Sequence, residues 1–151
     1  MTPPDTLLLV DLVSSKHACL ERLGTLSRRQ QELIDCGDVT ALLALLAAKQ
    51  RELEQLHEFE RRLDPFRGQD PLERRWSSEA ERLRCASLSD QSQRLLEEVM
   101  ETERRCEEAL RRRRDEAAQQ LAVVHAAGTA RNAYLDETAP AGSSLDLSDD
   151  A

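Results

Sequence analysis

Apolar residues recur at alternating steps of three and four along most of this chain, and that spacing constrains its fold more than any other feature. It places leucine and alanine on one face of an α-helix and predicts helices that pack through narrow seams. β-branched residues are few, and glycine and proline number five each. Because strands and their turns need more of these residues, we expect an all-α fold.

The first predicted helix begins near Asp5 or Thr6, because either residue can cap a first turn. Glycine favours a helix C-terminal cap, so the pair Cys36-Gly37 should end it. Its stripe holds six apolar residues in eight: Leu9, Leu12, Lys16, Cys19, Leu23, Leu26, Gln30 and Leu33.

Asp38 should cap a second helix, and the short link predicts an antiparallel hairpin. Leu43 and Leu45 widen the second stripe at its start, so we expect this end to be the more deeply buried one. The stripe also has six apolar residues in eight: Val39, Leu42, Leu46, Lys49, Leu53, Leu56, Glu60 and Leu63.

Two lysines, Lys16 and Lys49, interrupt these stripes. A polar residue at a seam position can fix the register of two helices. Alternatively, the aliphatic stem packs in the seam while the ammonium group reaches water. We favour the second interpretation for both lysines.

Residues 64–69 contain a proline and a glycine and predict a break. Asp70 should cap a new helix, with Pro71 at the first position and Glu73 reaching back to the cap. This helix would place Leu72, Trp76, Ala80 and Leu83 on one face. Residues 84–90 lack glycine and proline, which favours a continuous helix or a mild kink over a break.

The helical pattern continues to about residue 127, and Gly128 should interrupt it. Residues 1–135 are therefore expected to form a helical domain. Residues 136–151 contain five acidic residues and no basic one, and we expect them to be a disordered tail. The stripe of the long element has seven apolar residues in nine: Leu96, Val99, Glu103, Cys106, Leu110, Arg113, Ala117, Leu121 and Val124.

Relative lengths give a functional expectation. The element from 71 to 127 is about twice as long as either arm of the hairpin. A hairpin cannot cover all of it, so part of its apolar stripe should stay uncovered. An uncovered stripe of this kind commonly binds a partner.

Enzyme chemistry is not expected. The histidines His17, His57 and His125 lack partners at metal-ligand spacing, and no glycine-rich phosphate loop or nucleophile motif occurs. We therefore expect no catalytic residue, metal or cofactor. The four cysteines include no CxxC pair, and we interpret Cys19 and Cys106 as reduced, packed thiols. No secretory signal or membrane-spanning stretch is visible, so we expect a cytoplasmic protein.

The run Arg111–Arg114 is the strongest basic motif. Four consecutive residues spread around the circumference of a helix, acidic residues flank them, and no aromatic side chain is near to stack on a base. We favour a solvated helix surface over nucleic-acid binding.

The segment Leu42-Leu43-Ala44-Leu45-Leu46-Ala47-Ala48-Lys49-Gln50-Arg51-Glu52-Leu53-Glu54-Gln55-Leu56 resembles the second helix of the FlgN-like flagellar export chaperones. The resemblance extends over residues 5–135: a helical hairpin, a break, a long helix, and a small-residue segment ending at Ala133-Tyr134-Leu135. The family's long helix often carries asparagines near its middle, where this chain has Glu103, Arg104 and Cys106.

The resemblance implies a cytoplasmic chaperone that binds the terminal helices of hook–filament junction proteins and delivers them to the export apparatus without ATP. The client-binding residues carried over are Ala117, Leu121, Val124, Tyr134 and Leu135. The same stripes could instead join two copies in a structural coiled coil or adaptor, so a homodimer stays open. The expected architecture is an antiparallel helical hairpin packed on a long C-terminal helix, as an elongated three- to four-helix bundle or coiled coil.

Overall fold

The computed structural model describes residues 3–138, with side chains from Thr6 onward. It contains three α-helices, α1 (Pro3–Cys36), α2 (Val39–Arg67) and α3 (Glu79–Thr138), with a 3₁₀ turn at Pro71–Glu73 before α3. No strand occurs between residues 3 and 138, which confirms the all-α fold. The chain divides into two units between Leu110 and Arg111, so α3 contributes residues to both.

The predicted hairpin forms between α1 and α2. Gly37 has a φ of 76°, a left-handed conformation that glycine adopts without strain. The amides of Gly37 and Asp38 both donate to the Leu33 carbonyl, at 3.0 and 3.1 Å. As predicted, Asp38 caps α2, because its carboxylate accepts a hydrogen bond from the Ala41 amide at 3.0 Å.

Cross-helix contacts define the directions of the helices in the first unit. Lys16 pairs with Glu60 while Gln30 pairs with Lys49, so α1 and α2 run antiparallel. Residues 79–110 of α3 pack along α1 in the same direction, which confirms a hairpin packed on the long C-terminal helix. Three clusters follow one another along this contact: Leu9, Val13 and Cys85; Leu20, Leu23 and Val99; Ile34 and Cys106.

Helix α1 supplies most of the buried core. Its leucines at 12, 20 and 23 are almost fully buried, and each contributes about 1.5–3 kcal/mol through burial. Cys19 and Cys106 are also fully buried, as their positions on the stripes predict. The thiols of Cys19, Cys36, Cys85 and Cys106 are all free.

The seam of α2 differs from the predicted stripe. One column is confirmed, at positions 42, 49, 56 and 63, but the other lies at 45, 52, 59 and 66. Of the second predicted column, positions 39, 46 and 53 are exposed and Glu60 alone is partly buried. The expected deep burial at the start of α2 is therefore wrong: Leu45 is buried, but Leu43 is 63% exposed. Phe59 and Phe66 pack into the core on the observed column, which explains the rotation.

The connection between α2 and α3 also departs from the prediction. Helix α2 continues through Pro65 and ends at Arg67, with Gly68 as its C-terminal cap. Asp70 caps only the 3₁₀ turn, and α3 begins at Glu79, where the Ser78 hydroxyl accepts a hydrogen bond from the Glu81 amide at 3.1 Å. The predicted apolar face at 72, 76, 80 and 83 is not formed, and Leu72 is 93% exposed.

Helix α3 continues without a break through residues 84–90, as the absence of glycine and proline there predicts. The predicted interruption at Gly128 is wrong, since α3 passes through it and ends at Thr138. One glycine costs a helix only about 1 kcal/mol, which its neighbours can offset. Residues 136–138 of the predicted tail thus belong to α3, and 139–151 lie outside the described residues. No described helix is both long and apolar enough to cross a bilayer.

Candidate protein-binding surface

Residues 111–138, the described part of the second unit, form a helix whose side chains are all exposed. Leu121 is 70% exposed and Val124 is 67% exposed, and Tyr134 and Leu135 are exposed as well. The uncovered apolar stripe expected from the length of the chain is therefore present among the described residues. Burying such side chains against a partner is favourable, by about 25 cal/mol per Å² of apolar surface.

Four of the five predicted client-binding residues share one face of this helix. Ala117, Leu121, Val124 and Leu135 follow one another at separations of four, three and eleven residues, which keeps them in line at 3.6 residues per turn. These four residues are the C-terminal stripe. Tyr134 lies about 100° around the helix from Leu135, so it borders the stripe instead of belonging to it.

Gly128 lies on the same face, between Val124 and Leu135. Apart from Gly128 itself, its chain neighbours and the nearby backbone of its own helix, no atom lies within 4 Å of the place where a β-carbon at Gly128 would be. The stripe therefore has a gap at which a partner could approach the helix backbone closely.

The basic run at the start of this unit does not form a one-sided patch. Its four arginines occupy consecutive helical positions and so point in different directions. Arg114 pairs with Asp115, with 3.2 Å between Nη2 and Oδ1. The run is therefore a solvated part of the helix surface, as predicted.

A second uncovered apolar surface lies in the first unit, and sequence reasoning missed it. Exposed Val39, Leu43, Leu46 and Leu53 lie on one face of α2; these four are the α2 stripe. The consecutive apolar residues from Ala41 to Ala48 could have indicated it, because a helix that is apolar over more than one face leaves one of them uncovered.

A polar cluster crosses the first unit and joins its three helices. Lys49 of α2 is buried, and its ammonium group donates hydrogen bonds to Gln30 Oε1 of α1, at 2.8 Å, and to the carboxylate of Glu103 in α3. The Ser27 hydroxyl donates to the same carboxylate at 2.9 Å. The expectation that this ammonium reaches water is therefore wrong. Lys16 is partly exposed and pairs with Glu60 at 2.6 Å.

The histidine and buried cysteine side chains either make contacts within the fold or face solvent. His17 contacts Glu21 at 2.9 Å, whereas His57 and His125 are exposed. Burial, together with a hydrogen bond to Glu52, raises the pKa of the Cys19 thiol to about 11. Burial also raises the pKa of Cys85 and Cys106, so the three buried thiols stay protonated at neutral pH. Among residues 3–138, no three histidine, cysteine or acidic side chains converge as metal ligands.

Comparisons of the chain with protein-family models, with curated proteins and with solved structures gave no match. Among the described residues, the two uncovered stripes and the buried polar cluster are the features that a function can depend on.

Proposed function

We propose that this protein binds a helical segment of another polypeptide along the C-terminal stripe. The observation that carries the proposal is that Leu121, Val124 and Leu135 are each more than half exposed on one face of a regular helix. Polar side chains such as Glu116, Gln120 and His125 flank the stripe, which is the arrangement of an apolar centre with a polar rim.

A helix is the partner element that fits this surface best. Residues 111–138 are on the order of 42 Å long, and the stripe extends along most of that length. A narrow, straight apolar line is complementary to the apolar face of another helix, whose anchors recur at the same three- and four-residue steps. A small ligand would instead require a concave pocket.

We further propose that the protein is a cytoplasmic export chaperone of the FlgN-like type, and that its clients are hook–filament junction proteins. The support is the resemblance of residues 42–56, together with the order of a hairpin, a connection and a long helix that carries Tyr134 near its end. Such a role needs a binding surface and no catalytic chemistry, and the export apparatus would be its second partner.

The test is direct binding of the full chain to C-terminal fragments of junction proteins, measured by calorimetry. The double variant Leu121→Asp/Val124→Asp should abolish binding while the helix content measured by circular dichroism stays unchanged. A matched control is Ala126→Asp/Thr129→Asp, which adds the same charges at the same spacing on a face away from both the stripe and Tyr134 and should bind normally. Equal binding by both double variants would refute the site.

A structural coiled coil is the second candidate, and the heptad spacing of the α2 stripe favours it specifically. It predicts a homodimer whose melting temperature rises with protein concentration. The chaperone proposal predicts a one-to-one complex that tolerates moderate salt. Analytical ultracentrifugation with and without a client fragment distinguishes them.

A further inference from the structure

The connection between α2 and α3 packs near the start of α1 and leaves three cavities, of about 290, 500 and 330 Å³. All belong to the first unit, and both Leu9 and Arg74 line every one of them. The walls are mixed, because apolar side chains such as Val13 and Phe66 lie beside the guanidinium group of Arg74.

Arg74 is incompletely paired in this position. Its Nη2 donates to the Phe66 carbonyl at 2.6 Å, but its Nε is buried and has no hydrogen-bond partner. No carboxylate of residues 6–138 pairs with it within 4 Å. A half-buried guanidinium group without a counter-ion is unfavourable, so an anion placed beside it would be stabilised.

The neighbouring cations are already compensated. Lys16 pairs with Glu60, Arg67 pairs with both Glu60 and Asp64, and Arg82 pairs with Glu79. The 330 Å³ cavity therefore has about one uncompensated positive charge, that of Arg74, whereas Asp70 and Glu73 line the 290 Å³ cavity and outweigh this charge there. One positive charge matches a single negative charge better than a doubly charged phosphate.

Ser92 supplies a second unsatisfied group. It lines the 330 Å³ cavity together with Arg74, and its hydroxyl oxygen is buried without a partner. Buried hydroxyl groups nearly always have a partner, so this group also indicates a polar ligand.

We infer that this cavity binds a monoanionic organic carboxylate, with the carboxylate on Arg74 and Ser92 and the hydrocarbon part against Leu9, Val13 and Phe66. A guanidinium group and a carboxylate match in planar geometry, and the volume suits a small acid. Binding involves a small rotation of Arg74, because Nε is out of contact with solvent here. The carboxylate can belong to a free acid or to the C-terminal residue of a peptide.

The inference is tested by calorimetric titration of the full chain with hexanoate, which represents a free acid, and N-acetyl-leucine, which represents a peptide terminus. At least one should bind saturably, and the tighter one identifies the source. Neutral hexanamide should bind about tenfold more weakly, since a charge-assisted hydrogen bond is lost. Arg74→Gln should weaken acid binding about tenfold or more, whereas the adjacent control Arg75→Gln should not.

If Arg74→Gln does not fold, the Nε resonance of Arg74 in the unchanged protein gives the same information, because it should shift as the acid binds. The inference is overturned if neither acid binds, if Arg74→Gln binds as well as the unchanged protein, if the Nε resonance does not move, or if inorganic phosphate binds more tightly than both acids. These titrations do not involve the C-terminal stripe, so their outcome is independent of the proposed client binding.

Discussion

The ammonium group of Lys49 in α2 and the carboxylate of Glu103 in α3 form an ion pair inside the first unit, and Gln30 and Ser27 of α1 complete its hydrogen bonds. The side chain of Lys49 is almost fully buried, whereas that of Glu103 is about one-third exposed. Loss of the Glu103 carboxylate should therefore destabilise the fold more than loss of the Lys49 ammonium group. Without the carboxylate, the ammonium group would be a charge buried away from water with no counter-ion, whereas a carboxylate left alone is still reached by water.

We accordingly expect Glu103→Leu to lower the free energy of unfolding by about 3 kcal/mol, measured by urea denaturation. The double variant Lys49→Met/Glu103→Leu should recover most of that loss, since no buried charge is left. The exposed pair Glu58 and Arg61 is the control, and Glu58→Gln should leave the free energy of unfolding almost unchanged because solvent screens this pair. Equal losses in the single and double variants would contradict an unpaired buried charge as the cause.

The rotated seam of α2 makes a prediction opposite to that of the sequence pattern. Leu45 is buried and its neighbour Leu46 is exposed. Leu45→Ala should lower the free energy of unfolding by about 2–4 kcal/mol. Leu46→Ala should change it by less than about 1 kcal/mol. Chemical denaturation of the two variants distinguishes the observed seam, which contains Leu45, from the predicted seam, which contains Leu46. A larger loss of unfolding free energy for Leu46→Ala would favour the predicted seam.

Cys19 should make stability fall in alkaline solution. Its pKa is raised to about 11 by burial and by Glu52, against 9.0 for an ordinary thiol. The folded state therefore holds the proton more tightly, and this contribution is complete below pH 9 and is lost as the pH rises to 11. The loss is of order 2 kcal/mol. Cys19→Ala should show a smaller decrease in unfolding free energy between pH 9 and 11, and an unchanged decrease would exclude Cys19 as its source.

Gly128 lies in an exposed helix with no atom near its missing β-carbon. Gly128→Ala should therefore stabilise that part of α3 by about 1 kcal/mol, through a smaller loss of backbone entropy. Amide hydrogen exchange of the residues around 128 should slow about fivefold. Faster exchange in the variant would mean that the helix needs glycine there.

The sequence predicted the helices from their spacing, but it could not select every packed face. In α1 the predicted stripe was assigned correctly to the core at Leu9, Leu12 and Leu23. The neighbouring column of Val13, Leu20 and Ile34, which packs on α3, was not predicted. In α2 two neighbouring columns are both apolar, and periodicity cannot distinguish them; the contacts of Phe59 and Phe66 with the rest of the core do.

Competing end signals explain the error before α3. Asp70-Pro71 and Ser78–Glu81 both have the pattern of a helix start, and only the second is used for a long helix. For the binding surface, the length of the chain indicated the C-terminal stripe. The α2 stripe and the position of Arg74 depend on tertiary packing, which residue spacing does not contain.

The buried polar cluster also has a consequence for the order of assembly. Gln30 and Lys49 are 19 residues apart in the chain, but Lys49 and Glu103 are 54 apart. During synthesis the hairpin can therefore close before Glu103 has left the ribosome. In that interval the Lys49 ammonium group can bond to Gln30 within the hairpin. Water must accept its remaining hydrogen bonds until α3 packs on the hairpin and brings Glu103 into place.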